Sequence, residues 1–350
     1  MIKLTYFIWI LSFFSVSSIV KTCNSGKAPY SCCGNIADSI ILSTQDDVNQ
    51  FKNSLPDGCN CFKGKVEIRE RSILDLSPLD FLRGVGSLEV ILLTNLKVFK
   101  GFNNLDTVYK ALLFSQSTME EIDAFHSLRY VGTEIFVNTL TKLQKLSGFS
   151  RLGKCGKLVI TSNPLLKEIP SFPNLKTVSS LMSIQNNDNL EKIDGFPSLD
   201  TISSGLAIQK NEKVANILGF NKLVFQGFLS IHNNKGLVNI NGFSSLKNGH
   251  TISISDNPSL RSIHAFKAIK SIHYQHLHIE NNAVLDTITG FTKLKELRSS
   301  LMVFNNPNLK TCCFLYRVLN NPVGNLNYEI KGNSKGCLSK EDIIEAGECK

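Results

Sequence analysis

The chain has 350 residues, of which 42% are hydrophobic and 19% are charged, and its formal net charge at pH 7 is +9. This length and hydrophobic content are enough to bury a continuous core, and they exclude an intrinsically disordered chain. The ten cysteines all lie after residue 22, a placement that favours an oxidising, extracellular compartment.

Residues 1–18 are predicted to be a secretory signal peptide. Lys3 precedes an apolar run that extends from Leu4 to Val20, and Val16-Ser17-Ser18 supplies small residues at a cleavage site. The run is slightly shorter than the roughly 18 to 20 residues that span a bilayer, so an uncleaved membrane anchor is the less favoured alternative. We therefore expect a secreted protein with no transmembrane segment after signal cleavage.

Residues 19–62 are predicted to form a cysteine-rich N-terminal cap that contains a short helix. The capping residues Ser43-Thr44 precede Val48 and Phe51, which are spaced for one face of a helix, and Pro56-Asp57-Gly58 ends it. We expect this helix to cover the open end of the first coil of the domain that follows.

Residues 63–311 are predicted to form a solenoid, with Gly64–Ile68 as its first strand. The pattern I-x-N-N-x-x-L-x-x-I-x-G-F, seen at Ile184–Phe196, returns along the chain with a period of 23 to 25 residues. A fixed period of this size indicates coils that stack on their neighbours and share one core. The phenylalanines that mark the period are Phe102, Phe125, Phe149, Phe172, Phe196, Phe220, Phe243, Phe266 and Phe291.

Each coil is predicted to contain a short strand and an asparagine turn. In the segment Leu206-Ala207-Ile208, the two aliphatic side chains point inward and the residue between them points outward. The asparagine that follows can bond to turn backbone groups and to the asparagine of the next coil, because its amide both donates and accepts. We expect a ladder formed by Asn163, Asn187, Asn211, Asn234, Asn257, Asn282 and Asn306.

Residues 312–350 are predicted to be a cysteine-rich C-terminal cap, with a last strand at Asn325–Ile330 and a brief helix at Ser339–Ala346. Disulfides would then staple both ends of the solenoid, where apolar faces and strand edges would otherwise be open. Their connectivity is left open, and the N-terminal count is odd, so Cys23 could be unpaired, linked between chains or lipidated. The candidate disulfide cysteines are Cys23, Cys32, Cys33, Cys59, Cys61, Cys312, Cys313, Cys337 and Cys349.

Cys155 stands apart from both caps. It follows Phe149 by six residues, in the column that Val131, Val178 and Ile202 occupy in other coils. We interpret it as a buried free thiol in place of valine, rather than a reactive cysteine.

These motifs resemble the receptor L-domain family, the leucine-rich-repeat-like solenoids of insulin and epidermal growth factor receptor ectodomains and of related secreted or surface proteins. The resemblance rests on the cysteines before Gly64-x-Val66-x-Ile68, on the coils, and on the ending N-N-P-x-L-x-x-C-C with Gly336-Cys337-Leu338-Ser339, and it covers about Cys59 to Cys349. The chain departs from the receptors because it has no cysteine-rich module, membrane span or kinase. The resemblance implies a mainly β fold, a single-stranded right-handed β-helix with disulfide-stapled end caps, and an extracellular recognition role without a specified ligand.

The outward strand residues are the predicted binding face. One predicted column contains Val159, Ser183, Ala207, Ser230, Ser253, His278 and Val303, and the next contains Thr161, Gln185, Gln209, His232, Ser255, Glu280 and Asn305. Small polar residues dominate both columns, a composition that suits protein or glycan contact. The candidate binding residues are Gln185, Gln209, His232, Ser255, His276, His278 and Glu280.

Three of these candidates, His276, His278 and Glu280, alternate with inward residues on one strand, and His232 belongs to the column of Glu280. A transition-metal or pH-sensitive contact is one interpretation, and ordinary polar residues on a solvated sheet are the other. We favour the second, and we assign no metal, cofactor or catalytic residue.

The positive charge is predicted to form a basic ridge along one edge of the solenoid. The lysines beside core positions in the turns are Lys167, Lys176, Lys192, Lys247, Lys270, Lys295 and Lys310. Such a ridge could attract anionic polysaccharide or lipid head groups, or could keep the solenoid soluble. Nucleic acid is not expected, because the exposed face has no aromatic platforms.

The sequence therefore favours a secreted recognition module that binds an extracellular protein or glycan. The alternative is a structural component of a cell wall or extracellular coat. A polysaccharide-acting β-helix enzyme is less favoured, because Asp188 and Asp256 are expected in solvated turns, and His250 and His264 have no paired carboxylates on adjacent coils.

Overall fold

The protein is a β-solenoid of about 12 stacked coils, described by a computed structural model over residues 31–169, 172–224, 227–273 and 276–349. Its strand pairings are parallel, since each coil places its strand beside the matching strand of the coil before it. This confirms the predicted solenoid of stacked coils. The predicted signal peptide at residues 1–18 and Cys23 lie outside the described residues.

The largest sheet, here called the face sheet, has 17 strands and runs along the whole described solenoid. Successive strands pair in register; for example, Leu206 lies opposite Met182 on one side and Leu229 on the other. The strands are Cys32–Cys33, Ser39–Leu42, Cys61–Arg69, Gly84–Ile91, Thr107–Val108, Ala111–Ser115, Tyr130–Asn138, Lys154–Thr161, Thr177–Val178, Leu181–Gln185, Thr201–Ile202, Gly205–Gln209, Phe228–His232, Thr251–Ser255, His276–Glu280, Ser300–Phe304 and Asn327–Lys331.

Three smaller sheets complete the coils. The first contains Val98–Gly101, Glu121–Ala124 and Lys145–Ser147, and the second contains Lys192–Ile193, Asn216–Ile217, Asn239–Ile240, Ser262–Ile263 and Thr287–Ile288. The third contains Asn248–Gly249, Ser271–Ile272 and Glu296–Leu297. In the first two sheets the inward residues are mostly apolar and buried, so these short strands close the core on the side away from the face sheet.

The core is a set of columns to which each coil contributes one side chain. The marker phenylalanines stack face to face from Phe102 to Phe291, with neighbouring ring centroids 4.8 to 5.9 Å apart. Phe314 continues the column into the C-terminal cap, 5.8 Å from Phe291. Offset stacking of this kind adds to the free energy of apolar burial. The prediction that the phenylalanines form one aligned row is confirmed.

The predicted asparagine ladder is also present, and every member is fully buried. Each side-chain oxygen accepts from the backbone N–H of the equivalent residue in the preceding coil, as in the 3.2 Å bond from Asn187 N to Asn211 Oδ1. Each side-chain nitrogen donates to a carbonyl group of the previous coil and to the side-chain oxygen of the next member; Asn211 Nδ2, for example, bonds Ile184 O at 3.0 Å and Asn234 Oδ1 at 3.2 Å. The ladder has one member more than predicted, because Asn333 in the C-terminal cap continues it after Asn306.

The N-terminal cap contributes strands to the face sheet, so the sheet begins before the predicted first strand. Cys32–Cys33 and Ser39–Leu42 both pair with Cys61–Arg69, which contains the predicted Gly64–Ile68. Helix α1 (Gln45–Ser54) starts at the N-cap residue Thr44, which forms a capping box with Asp47. Its Phe51 ring packs 6.1 Å from Phe62, and this contact covers the first coil as predicted.

The C-terminal cap closes the other end. Asn327–Lys331 is the last strand of the face sheet, where a last strand was expected. A 3-10 turn at Cys313–Leu315 and the short helix α2 (Tyr316–Asn320) were not predicted, whereas helix α3 (Lys340–Ala346), capped by Ser339, was. A second 3-10 segment, Ser77–Phe81, lies in an early coil.

Four disulfides staple the caps, as the placement of the cysteines indicated. Two lie at the N-terminal end, Cys32–Cys61 and Cys33–Cys59, and two at the C-terminal end, Cys312–Cys337 and Cys313–Cys349. Each of the four disulfides joins two residues of the same cap, and so limits fraying of the exposed ends. Cys155 is a buried free thiol between Val131 and Val178, as predicted, and burial raises its pKa to about 12.

Candidate functional site

The outward side of the face sheet carries three columns of side chains that run along the solenoid. In the strand Leu181–Gln185, residues 181, 183 and 185 point outward, while Met182 and Ile184 are buried. We call the three columns first, middle and third, in the order in which the chain meets them. Gln185, Gln209, His232, Ser255 and Glu280 occupy the third column, as predicted, while His278 belongs to the middle column and His276 to the first.

The middle of the face forms a shallow groove, here called the central trough. Its floor is built from small side chains of the middle column, of which Ser183 is 5% exposed and Ala207 is 8% exposed. Longer side chains stand on either side, Leu181 and Phe228 in the first column and Gln185, Gln209 and His232 in the third. The floor covers four strands, or about 14 Å at ~4.8 Å per strand. The floor residues are Ser183, Ala207, Ser230 and Ser253.

One wall of the trough carries an exposed aromatic side chain that the sequence analysis did not identify. Phe228 is 39% exposed, and its ring lies against Gly205 on the adjacent strand. A Cβ at Gly205 would meet that ring at 2.5 Å, so glycine is needed for the ring to lie flat on the sheet. Phe228 stands one position before the Leu-x-Ile strand motif, and this location could have indicated its outward direction.

The other wall is polar. Gln209 Nε2 donates to Gln185 Oε1 at 2.7 Å, an interaction that joins two neighbouring coils through their outward side chains. His232 follows in the same column, with its Nδ1 2.9 Å from Asn233 Nδ2. Partial burial lowers the pKa of His232, so its imidazole is neutral at neutral pH. The trough thus has an aromatic wall and a hydrogen-bonding wall.

His276 and His278 form a stacked pair at the C-terminal end of the trough. Their ring centroids are 3.9 Å apart, and His278 Nε2 is buried without a hydrogen-bond partner. Desolvation, with a smaller contribution from His276, lowers the pKa of His278 to about 4, and desolvation also lowers the pKa of His276. Both imidazoles are therefore uncharged over the physiological pH range.

Glu280 lies on the same strand, and its pKa is raised by desolvation and by the carboxylates of Asp256 and Glu329. His232 is two strands from Glu280, with Ser255 between them, a separation of about 10 Å. Across the described ranges, no group of three or more His, Cys, Asp or Glu side chains is arranged to hold a metal ion. The geometry does not bring His232 and the His276–Glu280 strand around one ion.

Beyond Glu280 the predicted columns are wrong by one residue. The structure pairs Ile279 with Val303, and Val303 is fully buried, so it belongs to the core rather than to the outward face. Met302 and Phe304 are the outward residues, opposite His278 and Glu280. The expected Asn305 instead occupies the turn, because the side-chain period of two makes any one-residue slip exchange the two faces of the sheet.

The N-terminal part of the face has a different character. Lys65 Nζ contacts Glu67 at 2.9 Å and Glu89 at 3.1 Å, and Arg69 contacts Glu67 at 3.3 Å. Leu113 and Phe136 then continue the middle column, next to each other on paired strands. Here the charges are neutralised within the protein, whereas the central trough carries few charges of its own.

The predicted single basic ridge is wrong, because the seven lysines lie on two separate columns of turns. Lys176, Lys247, Lys270 and Lys295 follow the marker phenylalanines by four residues. Lys167, Lys192 and Lys310 follow the ladder asparagines by four or five residues, and Lys192 is paired with Asp194 at 3.2 Å. The two groups are separated because one follows the phenylalanine of each coil and the other follows the ladder asparagine.

In comparisons with known proteins, no family model matches this chain and no curated protein matches it. None of the helices in the described ranges has the length and apolar composition required to cross a bilayer.

Proposed function

We propose that this protein is an extracellular recognition module that binds a protein or glycan partner through the central trough. The observation that carries the proposal is the arrangement of small floor residues between the exposed Phe228 ring and the Gln185–Gln209 pair. An aromatic face and amide groups on opposite sides of a groove suit a sugar ring or an extended peptide, which needs both stacking and hydrogen bonds.

The rigidity of the scaffold supports this proposal. The side chains directly beneath the trough, such as Ile208 and Ile231, are fully buried between neighbouring coils. The outward residues are therefore held on a preformed surface, and little conformational entropy is lost when a partner binds.

The proposed location outside the cell is supported by the four disulfides in the caps and by the predicted signal peptide at residues 1–18. Membership of the receptor L-domain family remains part of this proposal, supported by the coil motif and by the cysteine-bounded ends. The test is expression of the full chain in a eukaryotic secretory system. Mass spectrometry of the protein in the medium should then show a chain that lacks residues 1–18, and retention of the whole chain in the cytosol would contradict the location.

The binding surface is tested by filling the trough. Ala207→Arg places a long charged side chain on the floor, and Lys213→Glu on an exposed turn serves as a control that also changes the charge. The secreted variants would be screened against a glycan array and a library of purified extracellular proteins. We expect every partner that binds the wild type to be lost, by about tenfold or more in affinity, from Ala207→Arg only. Equal binding by both variants would place the site elsewhere.

The same preparation distinguishes the alternative functions. A monomer in size-exclusion chromatography supports a soluble module, whereas extraction from the producing cells only by reductant would support a cross-linked coat component. Release of reducing ends from acidic polysaccharides would indicate a polysaccharide-acting enzyme and would replace the binding proposal.

A further inference from the structure

A second charged surface, distinct from the trough, lies at the turn that follows the stacked phenylalanines in the last three regular coils. We call it the basic corner. Its cationic side chains are Lys247, Lys267, Lys270, Lys293, Lys295 and Arg298, and all of them are exposed.

The corner is built by backbone register. Lys270 N donates to Lys247 O at 2.7 Å, and Lys295 N donates to Lys270 O at 2.9 Å, so these three lysines occupy the same position of successive coils. The strands beside them, which begin at Asn248, Ser271 and Glu296, pair in parallel and continue this register. The three lysines therefore form a row with a spacing of about 4.8 Å.

The charge of this row is not neutralised by the protein. Within the described ranges, none of the five lysines of the corner forms a salt bridge. Glu296 is the acidic side chain of the corner, and it already contacts Arg298 at 3.5 Å and His273 at 4.0 Å. Like charges on directly opposed positions of a sheet are destabilising, so the row favours an external anion.

Earlier coils show the same turn with its charge balanced. The row passes through Arg83, Asp106 and Arg129, whose backbones are linked in the same way, and Arg129 Nε contacts Asp106 at 3.0 Å. Asp200 follows Lys176 in the next pair of coils. The fold thus accepts positively and negatively charged residues at neighbouring positions of this row, whereas the last three coils place only lysines there.

From this geometry we propose that the basic corner binds a linear anionic polysaccharide, sulfated or carboxylated, that runs across the coils. A chain with regularly repeated anionic groups can contact several lysines of the row at once. A membrane surface is the less suitable partner, because the coils that carry Lys247, Lys270 and Lys295 have no large exposed apolar side chain in the described ranges. The exposed Val224, at the same position of the preceding coil, is a single small group to insert among lipid tails. The proposal depends on the extracellular location proposed above, but not on the trough.

The experiment uses the full secreted chain and heparin as the probe polysaccharide. One variant combines Lys247→Gln, Lys270→Gln and Lys295→Gln. The matched control combines Lys142→Gln, Lys167→Gln and Lys213→Gln, three exposed lysines of other turns that form no salt bridge in the described structure. Both variants lose the same net charge, and thermal unfolding would verify that both remain folded.

We expect the wild type to bind a labelled heparin oligosaccharide at about 0.15 M NaCl, the corner variant to bind at least about tenfold more weakly, and the control to change by less than about threefold. Equal weakening by the two variants, or no binding by the wild type, would overturn the proposal. Stronger and lysine-dependent binding to phosphatidylserine vesicles than to heparin would also overturn it, in favour of a lipid surface. Ala207→Arg should bind heparin like the wild type, so failure at the corner and failure at the trough can be distinguished.

Discussion

The early coils and the later coils form the same backbone turn with different residues and different hydrogen bonds. From Asn163 to Asn306, every ladder position is an asparagine whose side chain bonds the coils on both sides, and Asn333 ends the row. In the earlier coils the equivalent positions are Leu93, Ser117 and Leu140, and Ser117 Oγ accepts from Leu93 N at 3.0 Å. The backbone nevertheless turns in the same way in both regions.

The shared backbone shape is visible in the residue that precedes each ladder position. It has a positive φ both in the early coils, at Leu92 (57°) and Gln116 (49°), and in the later coils, at Asn186 (53°) and Asn233 (58°). Asparagine tolerates this left-handed conformation better than leucine. The first asparagine of each N-N pair therefore suits the turn, and the second satisfies the buried backbone groups.

The early coils have other sources of stability. Their second-side strands are longer, as in Val98–Gly101 and Glu121–Ala124, and extra rings join the core, with Phe99 only 5.0 Å from Phe114. The comparison teaches that stacking of the core determines the path of the coil. The asparagine ladder then supplies hydrogen bonds where the strands are too short to supply them.

The sharpest test of this comparison removes one ladder residue from each region. Asn211→Ala removes the side-chain acceptor of the Asn187 N–H and a side-chain donor to Ile184 O in a fully buried site. We expect a loss of about 3 kcal/mol in the free energy of unfolding, against about 1 kcal/mol for Ser117→Ala, where one hydroxyl is removed. Guanidinium unfolding of both variants provides the measurement.

Asn221→Ala is the control for this pair, since Asn221 is exposed and bonds only within its own turn and to Ser244; we expect a change of less than about 0.5 kcal/mol. If Asn211→Ala costs no more than Ser117→Ala, the ladder is not the stabilising element of the later coils.

The same comparison explains how much could be predicted from the sequence. The later coils were predicted closely because each residue has equivalents at a fixed period. The turn residue Asn333 was missed even though it follows Ile330 by three residues, as Asn187 follows Ile184, because Gly332 replaces the first asparagine of the pair. Gly332 adopts the same positive φ, at 65°, so the physical requirement is met by a different residue.

The candidate site was predicted less completely. The outward direction of Gln185, Gln209 and His232 followed from the strand period, but the burial of the histidine rings depends on neighbours from other coils. Disulfide pairing and helix α2 likewise depend on how the caps fold back on the last coils, for which a single sequence contains no repeat to compare.

The two ends of the face sheet should also differ in their response to acid. His278 has a folded-state pKa of about 4, below the usual unfolded value of about 6.5, so the unfolded chain binds more protons between these pH values. The contribution of the neutral His278 side chain to the free energy of unfolding is fully present above pH 6.5, and it is lost as the pH falls toward 4. Lys65 at the other end, where hydrogen bonding to Glu67 raises the lysine pKa, remains charged over this range.

We therefore expect His278→Gln to reduce the loss of stability between pH 7 and pH 4.5 by roughly 1 kcal/mol, after allowance for solvent screening at this half-exposed site. The raised pKa of Glu280 acts in the opposite direction, so the measured quantity is the difference between wild type and variant at each pH. His126→Gln, at an exposed turn, is the control. If the stability of His278→Gln changes with pH in parallel with that of the wild type, His278 does not cause the loss of stability in acid.

The smallest expected effect lies at Cys155, where the two regions meet. Its strand pairs with Val131 of the early coils and with Val178 of the later coils, and the thiol is fully buried with a raised pKa. Cys155→Val should change the free energy of unfolding by less than about 1 kcal/mol, because valine already fits the same column on both sides. Cys155→Ser, which buries a hydroxyl, should cost about 1 to 3 kcal/mol in the free energy of unfolding.

The accessibility of the Cys155 thiol gives a second measurement. In the folded protein the thiol should not react with an aromatic disulfide reagent at pH 8. In denaturant the wild type should release one equivalent more of the aromatic thiolate than Cys155→Val. Reaction of this extra thiol in the folded protein would show that the junction opens, and would mean that the two regions do not share one continuous core.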